Sequence, residues 1–533
     1  MIARIAAALA LLFVCTSAVA QERLGTANVT AQLTTDGMRV DIRLSLSVTS
    51  FTFNEADVVR DGDFTILTEG LTLSGNTITS ERSFRRVELV VRPMARERDA
   101  KYPAFYRVGQ GGVLYAPALY GDQAVWRTTL RIRTTRGQSM APSRGPSHQG
   151  SVFIGPADHI TQIGATTIVA PPDVPRGLYQ AVYDELQASM AFYTRELGLA
   201  LTNQPLVVIT GNGDGQGYVG EALPGPAVAM RFYGASWSDP SPQAAAYLAR
   251  FASHEAFHFW NGAMVSTSEG TPTWLHEGGA EYAALLSANA SGAYDDAAVR
   301  TAIGEALTRC RDALQAQGDV GMNSFSFLTN QVRYPCGTVI QWASDLSVRR
   351  ASNGERDVLD VWAGMMRGAI ARGTRQFTLA DFTDAEGNDG VALPISLLAE
   401  QSGEARWAAV VETLNGLGGG VRAEPNDTTR RTALLFHLLR ENCPGAENYG
   451  FFTEPEGIRL DTVNQCGAFA GAMLNSIEGA DPMAVSAETY ARAQAACANG
   501  RGVAAMVNGA PATFVCTRPL RDAPNAYIVD RWR

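Results

Sequence analysis

The sequence predicts a multidomain α+β protein: an N-terminal antiparallel β-sandwich, a mainly helical middle, and a small α+β domain at the C-terminal end. Three observations carry this. Apolar residues alternate with polar ones up to about residue 165 and recur at helical spacing from there to about 415, so two kinds of core follow one another. The chain has 533 residues, a length that calls for two to four domains. A glycine-rich stretch, NGLGGG at 415–420, then sets off a tail holding Cys443, Cys466, Cys497 and Cys516.

Residues 1–20, MIARIAAALALLFVCTSAVA, read as a secretory leader. Arg4 supplies the basic start, Ile5 to Val14 the apolar stretch, and Ala18-Val19-Ala20 a small-residue cleavage site. That stretch is too short for a permanent membrane anchor, and Val14 before Cys15 is unlike a lipid-attachment site. The mature chain is expected to begin near Gln21 and to be exported, to the periplasm or beyond the cell.

Residues 21–165 form the predicted sandwich. Val40, Ile42, Leu44, Leu46 and Val48 alternate with Arg39, Asp41, Arg43, Ser45 and Ser47, as a half-buried strand requires. Val87, Leu89 and Val91 repeat the pattern, as do Leu130 and Ile132, with turns at DGD (61–63) and GQGG (109–112). A Gly/Ser/Pro-rich loop follows at 136–150 before the strand SVFIGP. Residues 166–420 form the helical domain. Helices are expected at 178–197, 244–260, 296–316, 336–350, 356–371 and 405–415, with a buried strand LVVIT at 206–210. Residues 421–533 add strand-like GIRLD (457–461) and helix-like SAETYARAQAACANG (486–500).

Charge narrows the partners. The whole chain carries a net charge of −9, and losing Arg4 with the leader makes it one unit more negative. That balance argues against nucleic acid. Six cysteines remain after Cys15 is removed, an even count that suggests three disulfides in an exported chain. Pairing by proximity gives 310–336, 443–466 and 497–516.

The chemistry concentrates in SHEAFHFWNG, 253–262. On a helix His254 and His258 lie one turn apart on the same face, so both imidazoles can reach one metal ion. Glu255 is turned about 100° from His254, placed to handle a water rather than to bind the metal. A catalytic zinc needs a third protein ligand and an open position. Glu277, in TPTWLHEGGAEY, is the candidate, and the adjacent His276 is its competitor.

At this spacing the chain resembles the gluzincin metallopeptidases of the aminopeptidase N and glycyl aminopeptidase type. The match reads His254-Glu255-x-x-His258, Trp260-Asn261, then Trp274-Leu275-His276-Glu277-Gly278. The resemblance implies a thermolysin-like helical domain in which His254, His258 and Glu277 bind one Zn2+ and Glu255 is the general base and acid. It also implies that a tyrosine in Y-x-x-G, here Tyr334-Pro335-Cys336-Gly337, stabilises the oxyanion; otherwise Tyr334 is one of sixteen tyrosines at a loop end. Glu281, one turn beyond Glu277, could orient a zinc-bound histidine or face solvent. Trp260, Trp274 and Tyr282 are expected to pack the core. His148, His159 and His437 lack metal-like spacing.

Aminopeptidases of this type carry G-x-M-E-N before HExxH to hold the substrate's free amine. The window here, 218–225, offers Gly220 and Glu221 without that motif. Glu221 is the candidate amine ligand, and Gly220 to Ala229 a candidate edge strand for a peptide backbone. The tail resembles a PDZ domain in its order of elements. The expected function is therefore an exported zinc metallopeptidase acting on peptide or protein substrates, an aminopeptidase first. An endopeptidase on the same site or a catalytically silent scaffold is the alternative. The sequence sets neither residue specificity nor oligomeric state.

Overall fold

A computed structural model of the chain describes residues 24–56, 58–59, 63–93, 103–142, 150–201, 205–211, 217–223, 225–234, 237–238, 240–387, 389–443, 450–454, 456–460, 469–523 and 525–533. The expected leader, His148 and Cys466 lie outside them. The chain divides into two compact units, residues up to 160 with 223–225, and 161–222 with 226–533.

The first unit is built of strands: β1 (Gly25–Leu33), β2 (Met38–Thr52), β3 (Phe64–Ile66), β4 (Thr72–Ser74), β5 (Thr77–Val91), β6 (Phe105–Val108), β7 (Gly111–Tyr115), β8 (Trp126–Arg133), β9 (Gln138–Ala141) and β10 (Ser151–Pro156). One sheet runs β3-β5-β2-β1-β8, with β4 on β5, and a second runs β6-β7-β10-β9. Val29, Val40 and Leu130 from the first share a core with Phe105, Leu114 and Ile154 from the second, the two-layer solution for half-apolar sheets. Two expectations need correction. β1 pairs β8 in parallel, Thr26 opposite Arg127 and Ala31 opposite Ile132, so the first sheet is mixed. The long excursion through β2 to β7 lets the strand return in the same direction. Leu46 points outward, 46% exposed, because the β2–β5 ladder slips between Arg43 and Val48 and breaks the alternation there.

The second unit opens with a sheet of β11 (Ile160–Ile163), β12 (Thr166–Val169), β13 (Leu206–Thr210), β14 (Gly217–Leu223) and β15 (Ala227–Tyr233), ordered β11-β12-β13-β15-β14. β12, β13 and β15 are parallel neighbours. β14 is thus one of the two edge strands, and β15 lies one place inside, so the expected edge segment 220–229 is split between the two. Helix α1 (Arg176–Leu197) is followed by α2 (Pro242–His258), α3 (Thr273–Ser291), α4 (Asp296–Ala316), α5 (Asn330–Ala351), α6 (Val358–Ala371), α7 (Leu379–Glu386), α8 (Ala392–Ile395) and α9 (Arg406–Gly416). Short strands β16 (Ser266–Thr267) and β17 (Gln376–Phe377) pair in parallel. Trp260, Trp274, Tyr282, Trp342 and Trp362 sit fully buried in the core these helices enclose, as expected of the first three. α5 begins six residues before the expected 336, because Pro335 is carried inside the helix rather than marking its start.

The chain continues through β18 (Val421–Glu424), α10 (Asp427–Asn442), β19 (Phe451–Glu454), β20 (Gly457–Leu460), β21 (Met473–Ile477), α11 (Ala487–Ala498), β22 (Val503–Val507), β23 (Ala510–Phe514) and β24 (Ala526–Val529). β19 to β23 form one sheet in sequential order over its own core of Leu435, Leu439, Ile458, Tyr490 and Phe514. β24 returns to pair with β18, and Trp342 donates to the Trp532 carbonyl at 3.1 Å. Disulfides join Cys310 to Cys336 and Cys497 to Cys516, two of the expected pairs. No helix among the described residues is long and apolar enough to cross a membrane.

Candidate metal centre

α2 is started by Ser241, whose hydroxyl accepts from the Ala244 amide, and by Pro242 in the first turn, both standard N-terminal devices. It delivers Arg250, His254 and His258 along one face at four-residue intervals. The His254 and His258 Nε2 atoms lie 3.1 Å apart. Glu277 Oε2, from the first turns of α3, is 3.5 Å from each. One face of a tetrahedron with zinc-ligand bonds of 2.0–2.1 Å has edges of about 3.4 Å. The triangle fits an ion of that size, and Glu277 Oε2 is buried without a hydrogen-bond partner, an orphan that a cation would satisfy.

The group behind His258 fixes its orientation, and a carboxylate stands behind His254. Asn261 Oδ1 lies 2.9 Å from His258 Nδ1, which makes Nδ1 the donor and leaves the Nε2 lone pair facing the cluster. Asn261 Nδ2 in turn donates to the His276 carbonyl at 2.9 Å. A π-helical turn, Phe259–Met264, carries Asn261. Glu281 Oε1 stands 3.5 Å from His254 Nδ1, which makes no hydrogen bond. Glu281 Oε2 accepts from Arg250 Nε at 3.0 Å. Glu281 therefore faces the site and not solvent. Arg250 escaped the sequence reading and Asn261 entered it only as part of the motif, without a role, although their spacings of four and three from a histidine place them beside it.

Electrostatics agree with a cation site. Burial works against charge on Glu277, yet contacts with His254 and His258 hold its carboxyl well below the usual range. Burial lowers the His258 pKa, but Glu277 outweighs it and pushes the value up to about 9. The lone pairs that draw a proton so strongly are those a divalent ion would use. His276 stacks on His258 with ring centroids 4.5 Å apart. Burial and the neighbouring His258 lower its pKa to about 3. It is not among the residues whose donor atoms converge; those are His254, His258 and Glu277.

Glu255 lies beside this cluster, buried, with its pKa raised by that burial. β14 crosses directly over it. A Cβ on Gly220 would fall 1.7 Å from Glu255 Oε1 and 2.8 Å from Phe251 Cε2, so a side chain here would displace the carboxylate or the strand. Glu221 is engaged by Arg231 at 2.6 Å. Tyr334 is brought opposite the histidines by a close helix crossing. A Cβ on Gly278 would meet Gly337 Cα at 2.3 Å, and one on Gly337 would meet the Trp274 carbonyl at 2.3 Å. The glycines that follow Glu277 and Tyr334 in sequence thus let α3 and α5 touch. The Cys310–Cys336 bridge ties α5 to α4 beside that crossing. The Tyr334 and His254 ring centroids are 5.6 Å apart. Burial, aided by the charge of Glu277, raises the phenol well above its ordinary pKa, so it remains a donor.

The other histidines stand apart. His159 is buried against Phe153. His437 lies 3.3 Å from Cys516 Sγ, whose sulfur is bonded to Cys497.

No protein-family model matches the chain, and no curated protein matches it. Solved structures do. An aminopeptidase N family protein from Idiomarina loihiensis superposes with a TM-score of 0.59 at 13% identity, covering 95% of this chain and 98% of that one. The fold is accordingly that of aminopeptidase N-type proteins, and it carries a candidate His-His-Glu metal site. Within that fold the site consists of His254 and His258 on one helix and Glu277 on the next.

Proposed function

We propose that the protein is an exported zinc metallopeptidase, and that its first activity is that of an aminopeptidase of the aminopeptidase N or glycyl aminopeptidase type. The observation that carries this is the His254–His258–Glu277 triangle with a buried carboxylate, Glu255, beside it. Two buried histidines, His258 oriented from behind by Asn261, and one orphaned carboxylate oxygen suit zinc better than the all-oxygen sites of calcium or magnesium. Zinc held there supplies Lewis acidity and lowers the pKa of a water towards 7.

The protein groups do the rest. Glu255 takes the proton of the attacking water and returns it to the leaving amine, a role favoured by its raised pKa. Tyr334 donates to the oxygen that gains charge, since its phenol stays protonated. β14 offers an edge along which a peptide backbone could lie as an added strand. Glu221 is the weak point of an aminopeptidase, because Arg231 already holds it. If Glu221 does not take the free amine, an endopeptidase on the same site is the second reading. The disulfides favour an oxidising compartment, in keeping with an exported chain.

We assign residues 21–165, 166–420 and 421–533 to sandwich, catalytic and PDZ-like domains, the last on its order of elements alone. The test is a panel of unblocked and N-blocked peptides assayed with zinc content measured in parallel. Cleavage of free-amine substrates alone supports the aminopeptidase, and internal cleavage the endopeptidase. Glu255→Gln should keep zinc and lose about 10²–10⁴-fold in turnover. Full activity in that variant, with zinc bound, would exclude this mechanism.

A further inference from the structure

We infer that Arg333 is a specificity determinant that receives a carboxylate of the bound peptide next to the scissile bond. The inference rests on the peptidase reading and adds a substrate class to it.

Arg333 immediately precedes Tyr334 on α5. Its guanidinium carbon lies 5.1 Å from the centre of the Tyr334 ring and 6.0 Å from that of Phe327. Phe327 is 70% exposed, an unusual position for a large ring, and it stands against the cation from the loop that leads into α5. The Arg333 Nε is buried with no hydrogen-bond partner, and among the described residues no carboxylate comes within ion-pair distance of the side chain. The contrast with its neighbours is sharp. Arg231 holds Glu221, Arg250 holds Glu281, Arg311 holds Asp312, Arg349 holds Asp345 and Arg406 holds Asp319. Each of these five arginines has its acid, as Arg333 does not.

A guanidinium confined by aromatic rings has lost much of its conformational freedom already, and its fork matches a carboxylate with two parallel hydrogen bonds. One aromatic ring separates it from His254, whose centroid is 5.6 Å from that of Tyr334. A peptide whose carbonyl meets Tyr334 therefore brings its adjoining groups beside Arg333. A carboxylate there has two sources, an aspartate or glutamate side chain flanking the cut or the free C-terminus of a very short peptide.

Binding separates these ideas from the chemistry. The zinc-loaded Glu255→Gln protein is titrated calorimetrically with matched peptides carrying Glu, Gln or a C-terminal amide around one core sequence. Arg333→Gln is then added to the same background. A preference on the order of tenfold for an acidic member, lost in Arg333→Gln while the neutral peptides bind as before, supports the assignment. Preference for Glu over Gln points to the side chain, and preference for the free acid over the amide points to the terminus. Equal binding of acidic and neutral peptides, or a preference unchanged in Arg333→Gln, overturns it. Neither result touches the peptidase reading, which the hydrolysis panel judges. Arg333→Lys should restore part of the preference, whereas a purely structural arginine would move the Kd of all peptides alike.

Discussion

His254, His258 and Glu277 on one side and His437, Cys497 and Cys516 on the other each gather three ligand-type atoms within 4.8 Å of one another. By distance alone they are equivalent. In the first cluster Asn261 engages the outer nitrogen of His258, Glu281, held by Arg250, stands 3.5 Å from the outer nitrogen of His254, and the atoms that converge are bonded to nothing else covalently. In the second the two sulfurs are spent on each other, and His437 Nε2 donates to the Arg518 carbonyl at 3.1 Å. A metal needs lone pairs that are both close and unspent. Only the first cluster offers them.

The largest test of that contrast removes His258 from the first and both sulfurs from the second. His258→Ala should abolish stoichiometric zinc and, with it, peptide hydrolysis. Zinc retained at one per chain in that variant would sink the ligand set. Cys497→Ser with Cys516→Ser should leave zinc content unaltered and instead lower stability. The bridge closes a loop of 19 residues, worth about 3 kcal/mol by chain entropy, readable as an earlier midpoint in urea. Zinc lost from the double variant would mean that the C-terminal cluster binds metal after all.

A smaller effect sharpens the comparison from behind the ligands. Arg250→Met leaves Glu281 buried beside His254 without its cation. The expected result is a loss of 10–100-fold in zinc affinity, measured by competition with a chelator, with the helical content unchanged. Unaltered affinity would mean that Glu281 orients nothing.

These pairs of residues also mark where sequence reading succeeds. His254, His258 and Glu277 were legible because a helix fixes i and i+4 on one face, and because the W-L-x-E-G element has a recognisable form. The helices expected at 296–316 and 405–415 were legible from their period alone, the second displaced by one residue to 406–416. The parallel β1–β8 pairing was not, since strands joined by a long excursion leave no local signal. The roles of Arg250 and Asn261 were hidden for a different reason. Each looks like an ordinary polar residue on a helix until the partner across the groove is known. Gly278 and Gly337 could not be matched to each other from spacing, because the crossing of α3 and α5 is a tertiary fact.

Gly220 gives the last and mildest prediction, and it joins the two kinds of legibility. The sequence singled it out as part of a substrate strand, while the structure shows that it makes room for the Glu255 carboxylate. Adding a methyl places an atom 1.7 Å from Glu255 Oε1, so either the carboxylate rotates away or β14 lifts. Neither shift touches His254, His258 or Glu277. Gly220→Ala should therefore keep zinc at full occupancy and lower kcat about tenfold through misplacement of the base. A raised KM with kcat intact would instead locate the damage in β14 and its peptide, leaving Glu255 where it was. Loss of zinc would show that the strand and the metal cluster are coupled more tightly than their separate contacts indicate.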